Sequence, residues 1–419
     1  MRPGVVENHS GGIEFIMEFK KWRYTGFQIP YKKLYVCNRQ KKDMNNLQMV
    51  DLKRQYHKIK TEIDTAILNV VESTAFINGP DVHHFATEMA QYLDIKHVIP
   101  CANGTDALQI ALMALGLEPG DEVITPSYTY IATVEVVALL RLKPVFVDVD
   151  ADTFTMNINS VKAAITSKTK AIIPVHLYGQ CVNMEPLMAL AKEHNIPLIE
   201  DTAQAIGSSY TFADGKTLKA GTMGTIGCTS FFPSKNLGGY GDGGAIFTND
   251  DALAEDIRMI ANHGQKVRYY HEMVGCNSRL DTIQAAILRI KLRHLDEYCD
   301  ARRKAADFYD NAFKANPNII TPYRAPYTHH VFHQYTLQLK NADRDIVQKK
   351  LAEKNIPSMI YYPVPCHKQN MLKEYGTAND NLPTTDMLQD CVISLPMHTE
   401  FTEEELSYIT KNLLEIVAG

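Results

Sequence analysis

The chain has 419 residues, enough for a large domain with a smaller companion, and its 45% hydrophobic and 22% charged content is that of a globular protein. The net charge is −5, yet residues 1–43 hold nine Lys/Arg against four Asp/Glu, so the rest is distinctly acidic, which argues against nucleic acid as a partner. No apolar run reaches membrane-spanning length, and eight scattered cysteines without a CxxC pair exclude a zinc ribbon and a disulfide framework, the pattern of a cytoplasmic protein with no membrane partner.

Residues 1–46 show no clear period, hold the only tryptophan, Trp22, and are expected to be an N-terminal extension outside the fold, with Met44 an alternative natural start. From residue 47 the pattern becomes regular. An amphipathic helix is expected around Tyr56–Ser73, followed by apolar runs at His97–Cys101, Glu122–Thr125, Pro144–Val149, Ala171–Val175, Pro197–Glu200, Cys228–Phe232 and Gly244–Phe247, separated by helical stretches. This alternation predicts an α/β fold: a mainly parallel seven-stranded sheet, helices on both faces, in a large domain over residues 47–292. A long helical pattern from about Leu280 to Lys314 leads into a smaller α+β domain over 293–419, with a strand at His333–Leu339, a helix near Asp345–Lys354 and a last helix at Glu403–Val417. In such folds ligands gather at the carboxyl ends of the strands.

Four strand ends carry residues suited to one ligand. Lys235 follows the strand Cys228–Phe232 and precedes Gly238-Gly-Tyr-Gly-Asp-Gly-Gly244, where a crowded amine can lose its proton and attack a carbonyl. Strand Pro197–Glu200 delivers Asp201, which is either the cap of the next segment or an acid for a protonated ring nitrogen, with Gln204 three residues on. Strand His97–Cys101 leads to Gly104-Thr105-Asp106 at a helix start, where backbone N–H groups and the helix dipole favour a phosphate. Tyr128, past strand Glu122–Thr125, offers an aromatic face. A Schiff-base lysine, an acid for a pyridine nitrogen, a phosphate cradle and a stacking ring are what pyridoxal 5'-phosphate requires.

The stretches Cys101-Ala-Asn-Gly-Thr-Asp106, Pro174-Val-His-Leu-Tyr-Gly179, Glu200-Asp-Thr-Ala-Gln204, Thr229-Ser-Phe-Phe-Pro-Ser-Lys235, Gly241-Asp-Gly-Gly244 and Asn277-Ser-Arg-Leu-Asp-Thr-Ile-Gln-Ala-Ala286 resemble the DegT/StrS-type nucleotide-sugar aminotransferases, fold-type-I pyridoxal-phosphate enzymes, over roughly residues 47 to 417. The resemblance implies Lys235 as the Schiff-base lysine, Asp201 at the pyridine nitrogen, Gln204 at the ring hydroxyl, and Gly104, Thr105 and Ser230 at the phosphate. It implies that Asn277 completes the phosphate site of a neighbouring subunit, hence a homodimer with shared active sites, and that Arg279 approaches the sugar. Tyr361-Tyr362-Pro-Val-Pro-Cys-His367 matches the family's substrate loop in outline, although a His-Tyr pair is expected where uronates are aminated. His176 and His367 are further substrate-side candidates, and His333, Lys266 and Arg268 are each either structural or substrate-facing. The implied reaction moves an amino group from glutamate, released as 2-oxoglutarate, to a nucleotide-linked keto-sugar, with a 3-keto sugar expected. Relatives that dehydrate have a histidine in place of Lys235. A lyase of the same fold and a non-catalytic regulator are the alternatives.

Overall fold

The computed structural model describes residues 6–7, 13–14, 47–375 and 381–418. Apart from a short antiparallel pairing of Val6–Glu7 with Ile13–Glu14, the expected N-terminal extension, Trp22 and the Met44 start lie outside the described residues.

The seven expected strands form, each within a few residues of its predicted position: β1 His97–Cys101, β2 Glu122–Pro126, β3 Lys143–Val147, β4 Thr169–Ile172, β5 Ile199–Asp201, β6 Ile226–Ser230 and β7 Gly244–Thr248. They do not make one unbroken ladder. They pair as a four-stranded sheet in the order β1-β7-β6-β5 and a three-stranded sheet in the order β3-β2-β4. Two isolated parallel bridges, Ile172–Leu198 and Val175–Asp201, join the end of β4 to β5. β5 and β6 run parallel, as do β2, β3 and β4, while β7 is antiparallel to both neighbours. Every residue of β2 and β7 is buried, which explains why these strands read as continuous apolar runs.

The direction of β7 matters for function. Gly244, its first residue, pairs with Ser230 at the end of β6 and Cys101 at the end of β1, so three strand ends meet there. The helix Gly104–Ala114 starts at that edge, capped by Asn103, whose side chain accepts from the N–H of Asp106 at 2.8 Å.

The predicted helical stretch from Leu280 to Lys314 is two helices, Thr282–Leu292 and Leu295–Phe313, parted at Arg293–His294. Beyond them Tyr335–Leu339 pairs antiparallel with Ile319–Ile320 and Val392–Leu395, the last a strand the sequence pattern did not reveal. The closing helix Glu403–Val417 is where it was predicted, fixed by a capping box between Thr402 and Glu405. Residues 44–419 form one compact unit. A separate apolar cluster built on Tyr309, Phe313, Leu337, Ile393 and Leu413 supports a small C-terminal domain beginning near 293, a boundary that stands as a proposal.

Candidate active site

β5 ends in two acids that alternate to opposite faces of the strand. Glu200 is fully buried and accepts from the backbone N–H groups of Gly221 at 2.9 Å, Met223 at 2.7 Å and Gly224 at 2.5 Å, and from His176 Nε2 at 2.8 Å. His176 Nδ1 in turn accepts the N–H of Val182 at 3.0 Å. Both ring nitrogens are used inside the protein, an arrangement that favours a structural role for His176 over the expected contact with substrate. It braces the strand end, and its own N–H donates to Asp201 O at 3.0 Å.

Asp201 is 6% exposed. One carboxylate oxygen accepts from the Thr133 hydroxyl at 2.9 Å and the other from the N–H of Ala203 at 3.1 Å. Burial raises its pKa above the ordinary aspartate value, against the pull of those hydrogen bonds and of the Lys235 charge. Lys235 sits in a turn closed by its N–H to Phe232 O at 2.8 Å, and the next residue, Asn236, donates to Val331 O at 3.1 Å. The residue as a whole is half-buried, but desolvation of the amine lowers its pKa to about 8, with Asp201 pulling the other way. The structure thus brings together the amine and the acid that the sequence placed on different strands.

Gly104 faces Ser230. A Cβ at Gly104 would stand 2.7 Å from Ser230 Cβ, so only glycine lets the helix start close on the end of β6. Gly104 and Thr105 occupy the first turn, where N–H groups have no intrahelical acceptor, and the Ser230 hydroxyl lies beside them. Gln204 accepts the N–H of Tyr178 at 2.8 Å and donates to the Tyr362 hydroxyl at 3.0 Å, which ties the substrate loop to β5.

Tyr128 is not an open face. It is fully buried, its ring stacks on Phe154 at 6.3 Å, and its hydroxyl donates to Tyr361 O at 2.6 Å. Tyr130, which sequence reasoning missed, is 58% exposed, with its ring 6.1 Å from that of Tyr362. Its carbonyl accepts from the N–H of Thr133, the residue that holds Asp201. The run Pro126-Ser-Tyr-Thr-Tyr130 carried the signal, but it bends away past the end of β2, where no strand period says which of the two rings is buried.

The remaining candidates divide. Tyr361 is half-buried, and its carbonyl accepts from the hydroxyls of Tyr128 and Tyr178. His367 is pinned by Ser127 Oγ at 2.7 Å and Asp386 at 3.4 Å, so it anchors the loop rather than presenting a free imidazole. Asn277 is exposed and bridges to Asn262, while Ser278 holds the N–H of Ala102, two residues before Gly104, at 3.0 Å. Arg279 lines a groove of about 740 Å³ with His83, Lys96 and Arg258. Lys266 pairs with Glu255, and Arg268 lies over the Tyr269 ring at 5.0 Å.

A sequence profile of the DegT/DnrJ/EryC1/StrS aminotransferase family matches residues 57–414. The "UDP-2-acetamido-2-deoxy-3-oxo-D-glucuronate aminotransferase" of Pseudomonas aeruginosa is 48% identical over 84% of this chain and 95% of its own. The "Pleiotropic regulatory protein" of Geobacillus stearothermophilus is 46% identical over 88% of this chain and 98% of its own. Among solved structures, NtdA of Bacillus subtilis with bound cofactor PMP superposes with a TM-score of 0.83 at 30% identity, covering 90% of this chain and 87% of that one.

Proposed function

Because the chain belongs to the DegT/DnrJ/EryC1/StrS aminotransferase family, we propose that its site is that of a pyridoxal-phosphate-dependent aminotransferase acting on a UDP-linked 3-keto sugar, with glutamate as donor. The observation that carries this reading is the parallel pairing of β5 and β6, which sets buried Asp201 opposite Cys228 on the strand that leads to Lys235, whose amine has its pKa brought to about 8.

The residues present fit the cofactor. Asp201 is costly to ionise where it stands, and a protonated pyridine nitrogen is the cation that would favour its charge. The Gly104–Thr105 helix start and Ser230 suit a phosphate, Gln204 suits the ring hydroxyl, and Tyr130 in place of Tyr128 suits the ring face. Bound pyridoxal phosphate supplies an electron sink for the bond broken at the donor's α-carbon. Lys235 supplies the nucleophile and then the base. At pH 7 about a tenth of an amine with a pKa near 8 is neutral, and with cofactor bound Lys235 would take the α-proton of glutamate and, in the second half-reaction, would return a proton to the sugar carbon.

A homodimer with shared sites is supported by the exposed apolar segment around the short hairpin Gln265–Val267/Tyr270–His271, where Val267, Tyr269, Tyr270 and Val274 face outward next to Asn277 and Arg279. Arg279 and Arg268, close to that segment in sequence, suit anionic groups of a substrate held by such a neighbouring subunit. No helix among the described residues is long and apolar enough to cross a membrane. The seven described cysteines are all free, which supports a cytoplasmic setting.

The test supplies glutamate with a panel of UDP- and dTDP-linked keto-sugars and follows 2-oxoglutarate release. Turnover is expected with a UDP-linked 3-keto sugar and is lost by orders of magnitude in Lys235→Ala. Near-normal transamination by that variant refutes the assignment. A regulatory role, favoured by nothing but the names of relatives such as the Geobacillus protein, predicts no turnover with any acceptor.

A further inference from the structure

Tyr178 stands in the turn Leu177–Gly179 beyond β4 at φ 57°, a left-handed backbone that residues with side chains rarely adopt and that is found mostly where function demands it. In this turn every polar group of the residue is used. Its N–H donates to Gln204 Oε1 at 2.8 Å, its carbonyl accepts from the N–H of His333 at 2.8 Å, and its hydroxyl donates to the carbonyl of Tyr361. The ring is set edge-on against Phe154, 5.3 Å between centroids.

Tyr128 gives the same Tyr361 carbonyl a second donor at 2.6 Å, and the two hydroxyl oxygens stand 3.3 Å apart where they converge. A carbonyl oxygen has two lone pairs, so both bonds are made at once. Both tyrosines are buried, and burial pushes their pKa values up, so each keeps its proton for donation at any physiological pH. Tyr362, the next residue, accepts from Gln204 Nε2 at 3.0 Å, and its ring lies 6.1 Å from that of exposed Tyr130. A closed circuit of bonds therefore runs from Tyr178 through Tyr361, Tyr362 and Gln204 back to Tyr178. Pro363 and Val364 follow and are exposed, so the chain passes from the cofactor's neighbours to the rim of the site.

Glutamate is small enough to be handled beside Lys235 and Asp201, whereas an acceptor that carries a nucleotide is long enough to reach that rim. Resting on the function proposed above, we propose that Tyr178 and Tyr128 are positioning residues for the acceptor sugar: their two hydroxyls fix the Tyr361 carbonyl and so set the segment from Tyr361 to Val364 where it meets the sugar. Neither hydroxyl touches substrate itself.

The experiment follows the two half-reactions of the holoenzyme separately. Cofactor absorbance is recorded first with glutamate alone, and then, on protein already converted by glutamate, during titration with the UDP-linked 3-keto sugar. Tyr178→Phe and Tyr128→Phe each remove one hydroxyl and keep the ring. Each should leave the glutamate step within about twofold and raise the half-saturating sugar concentration roughly three- to tenfold, the size expected for one lost hydrogen bond, at a nearly unchanged limiting rate. The double variant should exceed either single one. Thermal melts check folding, and if Tyr178→Phe does not fold, Tyr128→Phe alone decides. Unchanged half-saturation by the sugar, or an equal slowing of both half-reactions, overturns the proposal while leaving the function standing. Absence of any absorbance change with glutamate in the natural protein, or of turnover with any acceptor of the panel, overturns the function and the proposal together.

Discussion

Gly104→Ala is the sharpest probe of the phosphate cradle, because the structure gives the size of the intrusion. The added methyl group would stand 2.7 Å from Ser230 Cβ and 3.3 Å from Ser230 Oγ. Carbon atoms at rest sit about 3.5–4.0 Å apart, so the helix start and the end of β6 must separate by roughly 1 Å. A phosphate hydrogen bond near 2.9 Å stretched by that amount is lost. Losing one bond to a charged group costs about 1.5–3 kcal/mol, or roughly 10- to 150-fold in affinity. Forcing the two apart costs about 1–3 kcal/mol of stability, offset in part by alanine's better helix propensity, so the melting temperature of the protein without cofactor should fall modestly while affinity falls more. Fluorescence titration with pyridoxal phosphate measures the affinity, and the thermal melt is the control. Unchanged affinity in a folded Gly104→Ala protein would remove the phosphate from this corner, and a parallel loss of stability and affinity would reduce Gly104 to a packing residue.

With the Lys235 amine near 8, its neutral fraction falls about tenfold from pH 7 to pH 6, and cofactor capture should fall with it; a rate that keeps rising to pH 10 would mean an ordinary lysine. Replacing Val267, Tyr269 and Tyr270 together by serine should shift the protein toward monomer in sedimentation and lower turnover if the sites are shared; an unchanged dimer would place the interface elsewhere.

The strands were legible because they are buried on both faces and so read as unbroken apolar runs, as in Gly244–Phe247 and Glu122–Thr125. Val392–Leu395 was not, since its four residues follow directly from the helix Pro383–Cys391 and no turn residue marks the change. The split of the sheet into four and three depends on pairing between strands far apart in sequence, which no local pattern records. In the site, Lys235, Asp201 and Gly104 were legible because each sits where a strand ends and backbone comes close. Tyr128 is buried and Tyr130 exposed because residues 127–130 bend away past the end of β2, where strand alternation no longer applies and the sequence does not say which ring faces in. His176 and His367 drew attention as polar residues near strand ends. Their ring nitrogens are taken by Glu200 and Val182 in one case and by Ser127 and Asp386 in the other, partners 6 to 240 residues away.

Glu200 and Asp201 pose the question of why one strand end carries two buried acids. The chain treats them differently. Glu200 receives three backbone N–H groups and an imidazole N–H, a set that satisfies a carboxylate without any outside cation. Asp201 receives two hydrogen bonds, and burial still holds its pKa above the ordinary value. An acid left in that condition contributes stability only while protonated, that is at low pH, and loses it as pH rises through its raised pKa. It is kept for a partner that the chain does not supply. The two neutral replacements should therefore part company. Glu200→Gln places an NH₂ against donors and should lower the melting temperature, at a cost of about 1–3 kcal/mol, while the folded fraction still takes up cofactor. Asp201→Asn should melt at or above the natural temperature near pH 7, because it removes a poorly solvated charge, yet lose turnover by roughly two to three orders of magnitude. Melts by differential scanning fluorimetry and 2-oxoglutarate release by each variant measure both effects. If Asp201→Asn loses stability and keeps turnover while Glu200→Gln does the reverse, the roles of the two acids are exchanged and the site must be redrawn around Glu200.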